Sequence, residues 1–243
     1  MDICSIILSA GRGNRMLSSI PKPLNSISGK TMLQWVIDAN KSAEINRSII
    51  VIPKNNKEIE EATKEFETVV QPLPLGTGDA VIKAKELLKN FNGIVVVCFA
   101  DTPFISPNTL KKIIKTFENG SKLTISGFKK HEKNNYGKII FSEKNNLIEI
   151  IEEKDTKLRN VKSDFCNGGI MAIHSSILEC LDEIQSNKIT QEIYLTEIAK
   201  IVNQHDKKIT FVEIDEDEIL GINNQLDLAD AERISQNALR KKA

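Results

Sequence analysis

The chain has 243 residues and 27.2 kDa, with 33 basic and 33 acidic side chains, so its formal net charge is zero. That balance argues against a protein held on nucleic acid by a general basic surplus, and any phosphate it binds must be met by a local cluster. Hydrophobic residues make up 40% and charged residues 27%, an ordinary composition for one large domain, and no apolar run reaches the roughly 18 residues that span a membrane.

The opening Met1-Asp2-Ile3-Cys4-Ser5 lacks the basic segment of a secretory leader. Four cysteines (Cys4, Cys98, Cys166, Cys180) have no metal-like spacing, and Cys4 and Cys98 lie in apolar runs as buried thiols, which fits a reducing cytoplasm. His131, His174 and His205 are scattered, so neither a His-based metal site nor a Ser-His-Asp arrangement is expected. With one Trp, stacking platforms for single strands are also unexpected.

In chain order, Ile3 to Leu8 is an apolar strand followed by a glycine-containing loop. Met32, Leu33, Val36, Ile37 and Ala39 share one helical face between Met32 and Lys41. A strand over 48–52 ends at Pro53, and a helix is expected over 59–66. Thr77 is placed to cap a helix running to about Leu88. Ile94 to Phe99 shows no polar alternation, as in a parallel strand covered on both faces. Ser106-Pro107 is a cap with proline at the first helical position, opening a helix to Phe117, and 123–128 is another strand. Such repeated strand–helix–strand order predicts an α/β fold with a doubly wound, mostly parallel twisted sheet. The rhythm then changes. Residues 137–141 and 147–151 flank Asn145-Asn146 as a hairpin. A returning strand over 165–173 contains Asn167-Gly168-Gly169, where two glycines imply close approach of a ligand or another backbone. Helices follow over 177–184 and 195–202, then a strand over 209–214 and a last helix from Gln225. No repeat or linker divides the 243 residues, so one domain is expected. About 1–130 would form its first part, and about 131–243 the hairpin part and terminal helix.

The strongest local signal follows the first strand: Ser9-Ala10-Gly11-Arg12-Gly13-Asn14-Arg15-Met16. Glycines admit close backbone approach, and two guanidinium forks suit a polyphosphate. Open α/β sheets bind ligands at the carboxyl ends of their strands, which is where this segment lies. It is not a G-x-G-x-x-G motif, because Met16 stands at the third glycine position. Gly29-Lys30-Thr31 is not a P-loop end, because position 24 is Leu24, so it reads as a turn before a helix. In Pro21-Lys22-Pro23 a lysine is held on a stiff stretch. Gln71 precedes Gly76-Thr77-Gly78, and its amide both donates and accepts, which suits a base edge such as the imide of uracil. Asp101 follows the most apolar strand, a poor place for packing and a good one for Mg²⁺, with Asn223 as a possible second ligand.

These segments, in this order, resemble the sugar nucleotidyltransferase family, and within it the N-acetylglucosamine-1-phosphate uridyltransferase branch. The likeness runs over nearly the whole chain. It includes Leu8 to Met16, Pro21-Lys22, Leu75-Gly76-Thr77-Gly78, Ala100-Asp101-Thr102-Pro103 and Tyr136-Gly137-Lys138-Ile139. The later matches are Ile151-Glu152-Glu153-Lys154-Asp155, Asn167-Gly168-Gly169-Ile170, Glu192 to Thr196 and Gly221 to Leu226. The resemblance implies that Leu8, Ala10 and Gly11 bracket the nucleotide, and that Gln71, Gly76 and Thr77 read its base. It implies that Arg15 and Lys22 meet the triphosphate, that Asp101 and Asn223 hold Mg²⁺, and that Gly137, Glu152 and Asn167 bind the sugar. The expected substrates are a nucleoside triphosphate and a sugar 1-phosphate, with no nucleic acid or membrane partner.

The sequence departs from the family pattern at Asn14 (usually Thr), at Phe99-Ala100 (commonly Tyr-Gly) and at Gly168 (usually Thr), the last expected beside the sugar. The bifunctional members continue into a hexapeptide-repeat acetyltransferase part, and no such repeat occurs within these residues. Rival readings are another triphosphate preference on the same fold, a retaining glycosyltransferase, and a non-catalytic nucleotide-sugar sensor. Glycosyltransferases of that kind usually show a D-x-D metal motif, whereas Asp101 is followed by Thr102-Pro103.

Overall fold

A computed structural model describes residues 1–131, 134–159, 161 and 163–240. The chain opens with β1 (Asp2–Leu8), the small hairpin β2 (Ser26–Ile27) and β3 (Lys30–Thr31), and α1 (Met32–Ser42). Next come β4 (Arg47–Pro53), α2 (Lys57–Ala62), β5 (Glu67–Gln71), α3 (Thr77–Lys85) and β6 (Gly93–Phe99). They are followed by α4 (Pro107–Lys115), β7 (Leu123–Lys129), β8 (Lys138–Phe141), β9 (Leu147–Ile151) and α5 (Glu153–Arg159). The last are β10 (Phe165–His174), α6 (Ile198–Gln204), β11 (Ile209–Glu213) and α7 (Gln225–Arg240).

The main sheet runs β11-β7-β10-β6-β1-β4-β5. β1 is parallel to both β4 and β6, β4 to β5, and β7 to β11. Only β10 runs against its neighbours β6 and β7 in this path, so the sheet is mostly parallel and doubly wound, as the sequence predicts. The β8–β9 hairpin joins through the pairing of Lys138 with Cys166.

Alternation along β6 shows why its sequence is apolar throughout. Val95 and Val97 pack in one cluster with Ala80, Val81 and Ala84 of α3 and with Ile198 and Val202 of α6. Ile94, Val96 and Cys98 pack in the other, with Leu33, Val36 and Ile37 of α1 and Leu110 and Ile113 of α4. Helix starts follow side-chain chemistry. Thr31 accepts from the Gln34 N–H at 3.1 Å, and Ser106 accepts from the Thr109 N–H at 3.1 Å with Pro107 behind it. Gly29 and Ser28 both adopt positive φ in the β2–β3 turn, confirming a turn rather than a phosphate loop. Helix α7 closes the fold. Its Ala231 packs with Ile27, Met32 and Ile222, and its Gln225 Nε2 donates to the Met16 carbonyl at 2.7 Å.

Several elements differ from expectation. Helix α2 stops at Ala62, where buried Thr63 bonds back to the Ile59 carbonyl through Oγ1 at 2.7 Å, and the chain turns into β5. That edge strand was not foreseen, because its Glu67, Thr68 and Val70 face solvent and leave no clear period. The segment 175–183 is a 3₁₀ stretch rather than an α-helix, and the helical turn α5 was unforeseen. No helix among the described residues is long and apolar enough to cross a membrane.

Ile6 of β1 is fully buried in the cluster against α3. Ile6→Ala is expected to destabilise the fold by about 2–5 kcal/mol through lost contacts and a cavity. Urea unfolding would read this as a lower midpoint at constant slope, and a cost below about 0.5 kcal/mol would contradict close packing at this position.

Candidate active site

A cleft of about 610 Å³ opens where β1, β5 and β6 end. Leu8, Ala10, Gly11, Gln71, Gly76 and Thr77, the six residues expected to hold a nucleotide, all line it. Short main-chain bonds shape its floor: Ala100 N–H donates to Leu8 O at 3.0 Å, and Ser9 N–H to Val51 O at 2.9 Å. Arg12, Leu75, Thr190, Gln191 and Glu192 line the cleft as well. Sequence reasoning did not single out the last three as site residues, since nothing local to residues 190–192 marks them as neighbours of β1.

Beside the cleft lies a charged cluster. The Lys22 ammonium donates to Asp101 Oδ2 and, at 2.8 Å, to Asn223 Oδ1. Arg15 Nη2 donates to the same Asn223 oxygen at 3.0 Å. Gly13 makes this approach possible: its φ is +62°, and a Cβ there would lie 2.6 Å from Lys22 Cβ. The Asp101 carbonyl accepts from Ile222 N–H at 2.9 Å, which ties the Asn223 loop to the end of β6. Arg15, Lys22, Asp101 and Asn223 thus meet, although up to 208 positions separate them in the chain. Oxygens of Asp101 and Asn223 converge on one cationic group from separate loops, and hard oxygen donors so arranged fit Mg²⁺.

Thr77 does not cap α3. Gly76 holds the cap position with φ +109°, and the Thr77 hydroxyl accepts from Leu195 N–H at 3.0 Å. A Cβ on Gly76 would stand 2.4 Å from the Ile193 carbonyl oxygen, so only glycine fits. Ile193 anchors this turn on both sides: its N–H donates to Leu75 O at 2.7 Å, and its carbonyl accepts from Gly78 N–H at 2.8 Å. Gln71 is buried, and its Nε2 donates to Gly76 O at 3.0 Å and to Asp79 Oδ2 at 2.8 Å.

Gly137, Glu152 and Asn167, the expected sugar residues, sit together outside the cleft lining. Asn167 N–H donates to Gly137 O at 2.8 Å, and a Cβ on Gly137 would lie 3.7 Å from Glu152 Cα. Two contacts join them to the cleft. Asn167 Oδ1 accepts from Gly169 N–H, and a Cβ on Gly169 would touch the ring of Phe99, a cleft residue. Glu152 Oε1 accepts from the Thr196 hydroxyl at 2.7 Å. Burial pushes the Glu152 carboxyl above its ordinary range, and Asp155, Glu197 and Glu192 add to the rise, while the Thr196 bond opposes it. Gly168 was expected beside the sugar. A Cβ there would lie 2.8 Å from Ser126 Oγ and 3.0 Å from Ile214 Cδ1, so packing alone already favours glycine at this position.

A family described as nucleotidyl transferase matches residues 4–228. The chain belongs to that family. The bifunctional protein GlmU of Clostridium kluyveri is 38% identical over 242 residues, covering 98% of this chain and 53% of the relative. The protein of the same name from Rhodopseudomonas palustris is 34% identical over 244 residues, covering 98% of this chain and 54% of the relative. The chain therefore spans about half the length of these curated relatives. A crystal structure of UDP-glucose pyrophosphorylase complexed with UDP-glucose superposes over 100% of both chains with a TM-score of 0.76. At 22% identity, that likeness speaks for the fold.

The two cysteines at the centre of the sheet are poor candidates for chemistry. Burial pushes Cys98 up to about 12 and Cys4 up to about 11, so both stay protonated near neutral pH. One histidine is less isolated than its sequence position implies. His205 pairs with Glu183 at 2.9 Å near Cys180, and among the described residues these three are the only such group whose donor atoms lie within 4.8 Å of one another. The His205–Glu183 pair itself accounts for that grouping.

Glu152 generates a pH prediction. Because its folded pKa lies above the unfolded value, the contribution of Glu152 to stability is fully present below the unfolded value of about 4.5 and is lost as pH rises through the folded pKa. Glu152→Gln keeps the shape and can still accept from Thr196, but it cannot ionise. Urea unfolding should therefore find the variant's stability gain larger at pH 8 than at pH 4. An equal difference at both values would remove Glu152 as the titrating group.

Proposed function

We propose that the chain transfers a uridylyl group from UTP to N-acetylglucosamine 1-phosphate and releases pyrophosphate. The observation that carries this reading is the meeting of Lys22, Arg15, Asp101 and Asn223 at the mouth of a cleft of nucleotide size, with Glu152 and Asn167 adjoining. Family membership and the relatives named GlmU support the class of reaction.

The chemistry asks little of a protein nucleophile. A sugar phosphate oxygen is already ionised at neutral pH and attacks the α-phosphorus in line as pyrophosphate leaves. Catalysis then reduces to positioning and charge neutralisation. Lys22 and Arg15 face the triphosphate with fixed positive charge, and Gly11 and Gly13 let the backbone come close. Gln71, Gly76 and Thr77 hold the base, while Gly137, Glu152 and Asn167 orient the sugar. Asp101 and Asn223 would hold Mg²⁺, which when bound neutralises phosphate charge and orients the two phosphates against each other.

Pyrophosphate release with UTP, Mg²⁺ and N-acetylglucosamine 1-phosphate tests the reading, beside glucose 1-phosphate and the other triphosphates. Asp101→Asn should lower kcat by about 100-fold or more with the fold intact by circular dichroism. Lys22→Ala should lower kcat more than it weakens sugar phosphate binding. Near-normal turnover in Asp101→Asn would refute the role of that residue. Release with a different pair would keep the mechanism and change the substrates. No release from any pair, by folded protein that still binds UDP-N-acetylglucosamine, would make the chain a sensor.

A further inference from the structure

Given a nucleotide in the cleft, as proposed above, we infer that Asp79 is a positioning residue that fixes the Gln71 amide with its oxygen toward the base, so that the cleft selects a base with a ring N–H. Asp79 stands in the first turn of α3, where the helix dipole favours a carboxylate. It is 6% exposed, and its Oδ2 lies 2.8 Å from Gln71 Nε2. The second acceptor of that nitrogen is the Gly76 carbonyl at 3.0 Å.

A side-chain amide can often be turned over without changing its fit. Here it cannot. Turning it would set Oε1 against a carboxylate oxygen and a carbonyl oxygen, neither of which has a hydrogen to give. Both Nε2 hydrogens are therefore consumed inside the protein. Oε1 accepts from none of the described residues, yet it is not sealed in. The buried side-chain atoms without a partner, among the described residues, are Ser9 Oγ and Asn40 Oδ1. Gln71 lines the cleft, so Oε1 is a fixed acceptor offered to whatever enters.

At that point a uracil presents its N3–H, a donor. A cytosine presents a bare N3, which would set lone pair against lone pair. A site with a buried polar atom rejects a ligand that leaves the atom unpaired more strongly than it rejects a change of size. Lys83, with its ammonium 4.0 Å from Asp79 Oδ1, is half exposed and touches the opposite oxygen, so it does not compete for the bond to Gln71. Asp79 need not touch the nucleotide to do this. It acts through Gln71.

The test is the ratio of UTP to CTP binding, measured by calorimetry, together with kcat and KM in pyrophosphate release. Asp79→Leu removes one acceptor and frees an N–H that can turn to cytosine N3. Asp79→Asn keeps the shape but can offer Gln71 either an oxygen or an N–H, so both amide orientations become possible. The UTP preference of the wild type should fall by about tenfold in Asp79→Leu and by less in Asp79→Asn, with the loss for UTP on KM rather than kcat. If Asp79→Leu does not fold, the isosteric Asn variant decides. A wild-type ratio retained in every folded variant, even with weaker binding of both nucleotides, overturns the inference and leaves Asp79 a purely structural residue. Equal binding of UTP and CTP by the wild type overturns it as well, while the nucleotide cleft stands. Binding of neither nucleotide by the wild type overturns both.

Discussion

Strand β6 is enclosed on both sides. From Ile94 to Cys98 each side chain enters one of two apolar clusters, with α3 and α6 behind one face and α1 and α4 behind the other. An ionised group inside such a layer would lose its hydration with nothing to replace it. The first acid after Gly93 is Asp101, two residues past the strand end. β1 repeats the pattern, with Leu8 leading into the glycine loop, and β5 ends on Gln71. Because these strands are parallel, their ends fall on one side of the sheet. The cleft sits there because the enclosed strand interiors have no room for ionised groups.

The charged cluster follows from the same constraint. The Asp101 carboxylate would repel any anion that entered beside it, and the Lys22 ammonium paired with it offsets that charge. Its main chain lies in a 3₁₀ turn after Pro21 and before Pro23, and Gly13 clears the space beside it. Stability does not require such a pair, since a part-buried ion pair loses in desolvation much of what it gains in attraction. Its geometry is what it contributes. One oxygen of Asn223 receives bonds from both Lys22 and Arg15, so the stretch after β1 and the loop before α7 share a single junction.

The sequence makes legible what local chemistry decides. The unbroken apolar run of β6, the Ser106-Pro107 helix start and the glycine loop after β1 each carry their signal within a few residues. The grouping of Arg15, Lys22, Asp101 and Asn223 is different: it spans most of the chain and is legible only through a family resemblance that supplies the long-range pairing. What is hidden depends on tertiary contact. β5 is an edge strand in which Glu67, Thr68 and Val70 face solvent, so it has no clear period to read. Thr77 looks like a helix cap and instead accepts from Leu195, more than a hundred positions away. Gly168 looks like a ligand contact, and packing against Ser126 already favours a glycine there. The bond from Gln71 to Asp79 spans eight positions across a strand–loop–helix turn, and no spacing rule marks it.

The segment from Thr190 to Thr196 joins the two ends of the site. Thr190, Gln191 and Glu192 line the cleft, and the Tyr194 hydroxyl bonds to both Thr190 and Glu192. Burial, with help from Glu192, pushes that hydroxyl up to about 12. Two residues on, Thr196 holds Glu152. At the centre the Ile193 backbone presses on Gly76 and Gly78, where added Cβ atoms would lie 2.4 and 2.9 Å from its carbonyl oxygen. No side chain fits in that gap. The separation between the Gln71 end and the Glu152 end is therefore set by backbone against backbone. Side chains at either end can differ on such a frame without shifting the backbone that spaces them.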